Sequence, residues 1–199
     1  MLRSNTLNKN NIDEILTTLG DYYDEMHGKE EIHLYIVGGA AVVLNFTFRK
    51  STIDIDALYR NNVIFNEAIE KTAQHYKLPY DWLNQEFKNT PSYSDKINCN
   101  SVFYKKFGNN IKVYVLPPKY LIAMKLKSSR PTGGDLEDII MMIYEMRYND
   151  VHIEYEEVIK AYEDLYNDFA NTYSYFLERT KKAFETPVEE FEHLFKNKF

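Results

Sequence analysis

Apolar residues recur at helical spacing over residues 10–26, at Ile12, Ile15, Leu16, Leu19, Tyr22, Tyr23 and Met26, and predict an amphipathic helix. His27-Gly28-Lys29 ends it, with Gly28 expected just past the C-terminus. Residues 31–37 are short, β-branched and aromatic, which is strand chemistry, and Gly38-Gly39 closes that strand. The apolar run at residues 40–46 reads as a short buried helix, Arg49-Lys50-Ser51 as a polar break, and residues 52–59 as a second strand. Alternation along that strand puts Asp54 and Asp56 on one face and Ile53, Ile55 and Ala57 on the other. Helical spacing returns at residues 63–76, and Leu78 to Asn84 reads as a compact apolar turn. Residues 88–98 are polar, contain Pro91 and read as a loop, long for a compact domain. Residues 101–107 and 111–116, joined by Gly108-Asn109-Asn110, predict a β-hairpin.

Pro117-Pro118 stops the hairpin and opens a helix to about Ser128, since proline suits the first helical position. Arg130-Pro131-Thr132-Gly133-Gly134 breaks the pattern, and Asp135 is placed to cap a helix with Leu136, Ile139, Ile140, Ile143 and Tyr144 on its apolar face. Beyond residue 149 the pattern is helical throughout. One stripe is Tyr155, Val158, Ile159, Tyr162, Leu165, Tyr166 and Phe169, and a second is Tyr173, Phe176, Leu177 and Phe184. A last helix opens at Pro187 with Val188, Phe191, Leu194 and Phe195. The expected organisation is α+β: a mixed core over residues 1–148 and a helical extension over 149–199.

Composition narrows the function classes. A net charge of −6 and a pI near 5.4 argue against a protein that coats nucleic acid by electrostatics alone, though a local basic groove is compatible with them. The single Cys99 excludes an intramolecular disulfide and a cysteine-based zinc site. His33, His75, His152 and His193 are scattered and suggest no histidine metal site. No apolar run is long enough to span a bilayer, and Met1 to Thr6 lack a signal peptide's apolar core, so the expected location is the cytoplasm. With 17 Tyr and 12 Phe the core should be strongly aromatic, and the tail's aromatic stripes read as core before they read as a stacking surface.

The chemistry concentrates in Gly38-Gly39 and Asp54-Ile55-Asp56. A glycine pair between strand and helix lets backbone N–H groups approach an anion, and it is also an ordinary tight turn. A dinucleotide fingerprint needs a further glycine where Ala41 and Val42 stand, and no Gly-Lys-Ser/Thr follows for a P-loop. Two carboxylates at i and i+2 of a strand project the same way, about 6–7 Å apart. They repel unless a cation lies between them, and Mg2+ favours one or two carboxylates plus substrate phosphates. Surface aspartates at a sheet edge are the plainer explanation of the pair.

With these residues the chain resembles the nucleotidyltransferase superfamily, and more closely the bacterial AbiEii-like toxin nucleotidyltransferases and their relatives. Gly38-Gly39-Ala40-Ala41 stands for the glycine-led turn, and Arg49-Lys50-Ser51-Thr52-Ile53-Asp54-Ile55-Asp56 for the arginine, hydroxyl and Asp-Ile-Asp stretch. Downstream, Ala123-Met124-Lys125-Leu126, Arg130 and the pair Asp135 and Asp138 resemble further elements of the same relatives. The resemblance implies a small mixed sheet with flanking helices. It implies that Asp54 and Asp56 are catalytic and hold Mg2+, and that Gly38, Gly39, Arg49, Ser51, Lys125 and Arg130 bind a nucleoside triphosphate. It also implies nucleotidyl transfer to a hydroxyl of RNA, protein or a small molecule, with an antitoxin protein as a partner if the chain is a toxin.

Three readings compete with this. Lys125 also reads as a lysine that snorkels from a buried helix, and Asp135 and Asp138 as first-turn acids that favour the helix dipole. The superfamily's third carboxylate is absent from the strand at Ile111 to Val115, where Tyr114 stands, and Asp81, Glu86 and Asp95 are the substitutes in the chain. The alternative function is therefore a module of this fold that binds nucleotide or a partner protein without turnover.

Overall fold

Alternation of Ile32, Leu34 and Ile36 with His33 and Tyr35 makes β1 (Ile32–Ile36) a strand with one fully buried face. The computed structural model describes residues 6–169 and 172–195, residues 192–195 by their backbone alone. Most of the N-terminal segment read for a signal peptide, and the side chains of Leu194 and Phe195, lie outside the described residues.

In chain order the elements are α1 (Ile12–Glu25), β1, α2 (Gly38–Asn45), β2 (Ile55–Leu58), α3 (Val63–Tyr76), β3 (Leu83–Asn84), a 3-10 turn at Glu86–Asn89, α4 (Ile97–Asn100), β4 (Val102–Phe107) and β5 (Ile111–Val115). The helices α5 (Pro118–Ser128), α6 (Asp135–Tyr148), α7 (Tyr155–Tyr166), α8 (Ser174–Glu185) and α9 (Val188–Phe195) follow. The five strands form one mixed sheet in the order β3-β2-β1-β5-β4, with β1 antiparallel to β2 and parallel to β5, β2 parallel to β3, and β4 antiparallel to β5. The fold is thus α+β, as the pattern predicted.

Two units pack separately. The first comprises the described residues up to Asn89 together with Ile97–Pro117, and the second Thr90–Lys96 with the described residues from Pro118 onward. The position expected to separate core from extension, between residues 148 and 149, falls inside the second unit.

In the first unit, Ile32, Leu34, Ile36, Ile55, Ala57, Leu83, Ile111, Val113 and Val115 line the buried face of the sheet. Fully burying such side chains contributes about 1.5–3 kcal/mol each for the larger ones. α1 packs on α3 and β4. Tyr23 meets Phe65 edge-on, their ring centroids 5.8 Å apart. Trp82 is fully buried and its indole N–H donates to the Ile69 carbonyl at 3.2 Å, tying the turn before β3 to α3.

Several local expectations are corrected. The second strand begins at Ile55, not Thr52; Asp54 sits just before it and Ile53, expected on the buried face, points to solvent. The compact turn at residues 78–84 ends in β3, a strand of two residues that periodicity cannot detect. Gly28 lies one place beyond the αL position that ends α1: His27 has the positive φ, and the Gly28 N–H closes the end on the Tyr23 carbonyl at 2.9 Å. α2 starts at the glycine pair itself rather than after it. The N-cap of α6 is Gly134, not Asp135.

In the second unit α5 packs on α6 and α7, and α6 on α8 and α9. Within the predicted loop at residues 88–98, the part over Thr90–Lys96 is pinned to α7. The Ser94 hydroxyl donates to the Leu165 carbonyl at 2.8 Å and the Tyr166 hydroxyl to the Ser92 carbonyl at 2.7 Å. Burial pushes the Tyr166 hydroxyl pKa up, and the nearby Tyr162 and Asp168 push it further.

Candidate functional site

Where β1 gives way to α2 the chain runs Val37-Gly38-Gly39-Ala40, and Val37 supplies no side-chain cap. The first helical bond runs from the Ala41 N–H to the Val37 carbonyl at 3.3 Å, so the amides of the first turn have no side chain closing them. Gly38 adopts φ +60°, and a β-carbon there would lie 2.9 Å from Asp56 Oδ2. At Gly39 a β-carbon would lie 2.8 Å from the Thr52 hydroxyl and 3.0 Å from an Arg49 guanidinium nitrogen. The two glycines thus serve different ends. Gly38 turns the chain through a left-handed conformation against a carboxylate, and Gly39 makes room for a hydroxyl and a cation.

The carboxylates reach this turn from β2 and the residues before it. The Val37 N–H donates to the Asp56 carbonyl at 2.9 Å, continuing the antiparallel pairing of β1 and β2 and fixing Asp56 beside the turn. Asp54 precedes β2 and accepts two long hydrogen bonds, from the Thr52 hydroxyl to Oδ1 and from the Asn84 amide to Oδ2, both 3.5 Å. Asn84 lies opposite Asp56 in the parallel pair of β2 and β3, and its own oxygen accepts from the Glu86 N–H at 2.8 Å. Thr52 is held by a two-way backbone bridge with Leu7, 2.8 Å in each direction. Asp54 and Asp56 are both half-buried, so their solvation is already reduced.

Gly38, Gly39, Arg49, Thr52, Asp54, Asp56 and Asn84 thus share one locale. Ser51 is half-buried and makes no hydrogen bond to either carboxylate among the described residues; Thr52 supplies the hydroxyl there. Thr52 stands two residues ahead of Asp54, in the stretch that carries the resemblance. Asn84 has no signal in the sequence, because it belongs to the two-residue β3.

No group of three or more His, Cys, Asp or Glu side chains among the described residues is placed to hold a metal ion. The donor set present is a carboxylate pair, and it fits Mg2+, which takes one or two carboxylates and fills its other positions with water and phosphate oxygens. Asp54 has acceptor capacity to spare, since a carboxylate offers about four lone-pair sites. Among the substitutes for a third carboxylate, Glu86 is exposed in the 3-10 turn and Asp81 offers its backbone carbonyl to Asn84 at 3.1 Å. Tyr114 stacks on Tyr35 with ring centroids 4.9 Å apart.

Lys125 and Arg130 belong to the second unit, where acids match them. The Lys125 ammonium contacts Asp135 at 3.1 Å and Asp138 at 2.7 Å. The Arg130 guanidinium forks onto both Asp135 oxygens at 2.9 Å, and the Ser128 hydroxyl donates to the same carboxylate at 2.6 Å. Burial pushes the Asp135 pKa up, but Arg130, Lys125 and Ser128 outweigh it and hold the carboxyl well below the usual range. Lys125 is buried with its acids, so it does not snorkel, and Asp135 serves as a buried ion-pair hub rather than a helix cap.

No curated protein and no solved structure matches the chain. A family model does, over residues 11–181, and its description is a nucleotidyltransferase of unknown function (DUF6036). The matched span contains the glycine turn, both aspartates and the Lys125–Asp135 cluster, and the chain accordingly belongs to that nucleotidyltransferase family.

Proposed function

We propose that this protein moves a nucleotidyl group from a nucleoside triphosphate to an acceptor hydroxyl, with Mg2+ held by Asp54 and Asp56. The observation that carries the reading is the half-buried Asp56 carboxylate against an uncapped glycine helix start, with half-buried Asp54 tied to the same locale through Thr52. The first-turn amides of α2 and the Arg49 guanidinium beside Gly39 bind and orient the triphosphate. Mg2+, when bound, supplies positive charge that offsets the charge of the phosphates. The Thr52 hydroxyl and the Asn84 amide hold Asp54 in the orientation that faces them. Lys125 and Arg130 enter this reading through the resemblance alone.

The acceptor is a hydroxyl of RNA, of a protein or of a small molecule. A toxin role, with an antitoxin partner, follows from the AbiEii-like motif pattern by analogy. Growth arrest on expression, relieved by a neighbouring gene, is the expected phenotype; unimpaired growth at high expression counts against the toxin role.

The test of transfer is Mg2+-dependent labelling of cell extract from a labelled triphosphate. The wild type is expected to label an acceptor and the Asp54→Ala, Asp56→Ala double variant to fall at least about 100-fold, the scale for loss of an electrostatic catalytic element. Equal labelling by the two proteins would sink the assignment. A second reading, a module that binds nucleotide or a partner without turnover, is favoured by the lack of a three-residue acidic group among the described residues. Calorimetry that detects triphosphate binding, with no product on long incubation, selects it.

A further inference from the structure

The face of the sheet opposite the core carries a pattern that nucleotide transfer does not use. Register places Phe103, Tyr114, Tyr35 and Leu58 in one row across β4, β5, β1 and β2. Tyr35 and Tyr114 stack at 4.9 Å with an interplanar angle of 26°, Phe103 meets Tyr114 edge-on at 5.7 Å, and His33 lies 5.6 Å from Tyr114. Phe103 is 55% exposed, and Tyr35, Tyr114 and His33 are half-buried. The neighbouring row, two residues along β5 and β1 and three along β4 across its bulge, is Lys106, Lys112 and His33, set by the Lys106–Lys112 and His33–Lys112 register pairs.

Cross-strand pairing explains why the rings touch. It does not explain why they occupy a face that water reaches, where a sheet packed on its other side is normally polar. Rings beside lysines are the recognition chemistry of sheets that bind single strands, where bases stack on the rings and cations follow the phosphates. The three rings of the row span three strands, about 10 Å at the usual strand spacing, which is more than one mononucleotide base needs. Asp56 is on the same face, since it lies one residue before the buried Ala57 and two before Leu58. Glu31 holds Lys112 at 2.6 Å and His33 at 2.5 Å. These pairs are exposed, so an incoming phosphate displaces them at little cost.

We propose that this face binds single-stranded nucleic acid, with an unpaired base stacked on the exposed Phe103 ring, neighbouring bases against the outer edges of Tyr114 and Tyr35, and phosphates along Lys106, Lys112 and His33. As the seat of the acceptor it rests on the transfer reading; as a binding surface it stands without it.

The experiment is fluorescence anisotropy of the full chain with a labelled single strand of about 12 nucleotides, the same strand with abasic sugars, and a duplex. Phe103→Ala and Lys106→Glu alter exposed positions, and Tyr114→Leu keeps apolar bulk while removing the ring; circular dichroism checks that each folds. The single strand is expected to bind best, and the abasic strand and both ring variants about tenfold more weakly. Lys106→Glu should weaken binding and flatten its salt dependence. Equal binding of abasic and normal strands, or strand binding that none of the variants changes, overturns the proposal. So does a protein partner released by the same variants when no strand binds. The Asp54→Ala, Asp56→Ala double variant should keep strand binding while losing transfer. Strand binding by a wild type that transfers nothing overturns the catalytic reading alone.

Discussion

Gly38 has no room for a side chain: its φ is +60°, and Asp56 Oδ2 stands where a methyl would go. Gly134 shares the conformation, φ +72°, but nothing lies within 4 Å of a β-carbon there. Gly134→Ala should therefore cost only the left-handed strain, about 1 kcal/mol, while Gly38→Ala costs at least as much and also displaces Asp56. Paired urea titrations and transfer assays test this; a Gly38→Ala protein with wild-type activity refutes the close approach. Asp135 supports a second prediction. It is fully buried beneath Arg130 and Lys125, so Asp135→Asn leaves the buried Lys125 ammonium with Asp138 alone, takes the fork from the exposed Arg130 guanidinium, and should lose about 3 kcal/mol. Its folded pKa lies below the unfolded value of about 3.9. The stabilisation is thus full above the unfolded pKa and lost as pH falls through the folded one. Wild-type stability should drop more steeply below about pH 4 than that of Asp135→Asn; parallel curves would remove the hub assignment.

Among the elements, α3 shows most directly how local sequence sets an end. Asn62 is extended at its N-cap, and its side chain accepts from the Phe65 N–H at 3.0 Å. Asn62→Ala should cost about 1 kcal/mol in chemical unfolding, and Asn62→Asp much less. No difference between the two variants would show that the cap contributes nothing. α1, α3 and the hairpin of β4 and β5 were legible because each repeats its own period over enough residues to be recognised. β3 was not, because two residues carry no period; it exists because the Ile55 N–H reaches the Trp82 carbonyl at 2.6 Å and β2 runs alongside. Ile53 fits the alternation of Ile55 and Ala57, yet the chain before Ile55 has left the sheet and turns it to solvent.

For the whole molecule, ligand binding and stability are linked. A triphosphate with Mg2+ at about 100 times its dissociation constant adds about 2.7 kcal/mol to a folded chain that alone binds it. For a chain of this size that is a rise of about 5–10 °C in Tm. The rise should appear in wild type and vanish in the Asp54→Ala, Asp56→Ala variant; an equal rise in both places the nucleotide elsewhere. Among the described residues no helix is long and apolar enough to cross a membrane.

By itself the sequence determined what short-range physics controls: the longer helices, the hairpin, the α+β class, and a glycine pair and an aspartate pair spaced as a nucleotidyltransferase spaces them. Only the tertiary structure decided which side chains complete the locale. Asn84 reaches Asp54 across 30 residues because β3 joins β2 in parallel, and Thr52 and Arg49 pack on Gly39 because β2 returns antiparallel to β1. It also decided that Lys125 is held by Asp135 and Asp138, and that Tyr114 stacks on Tyr35. Each of these depends on strand order and register. The pattern along the chain says which face of a strand is apolar; which strands become neighbours is settled only when the whole sheet buries that face at once.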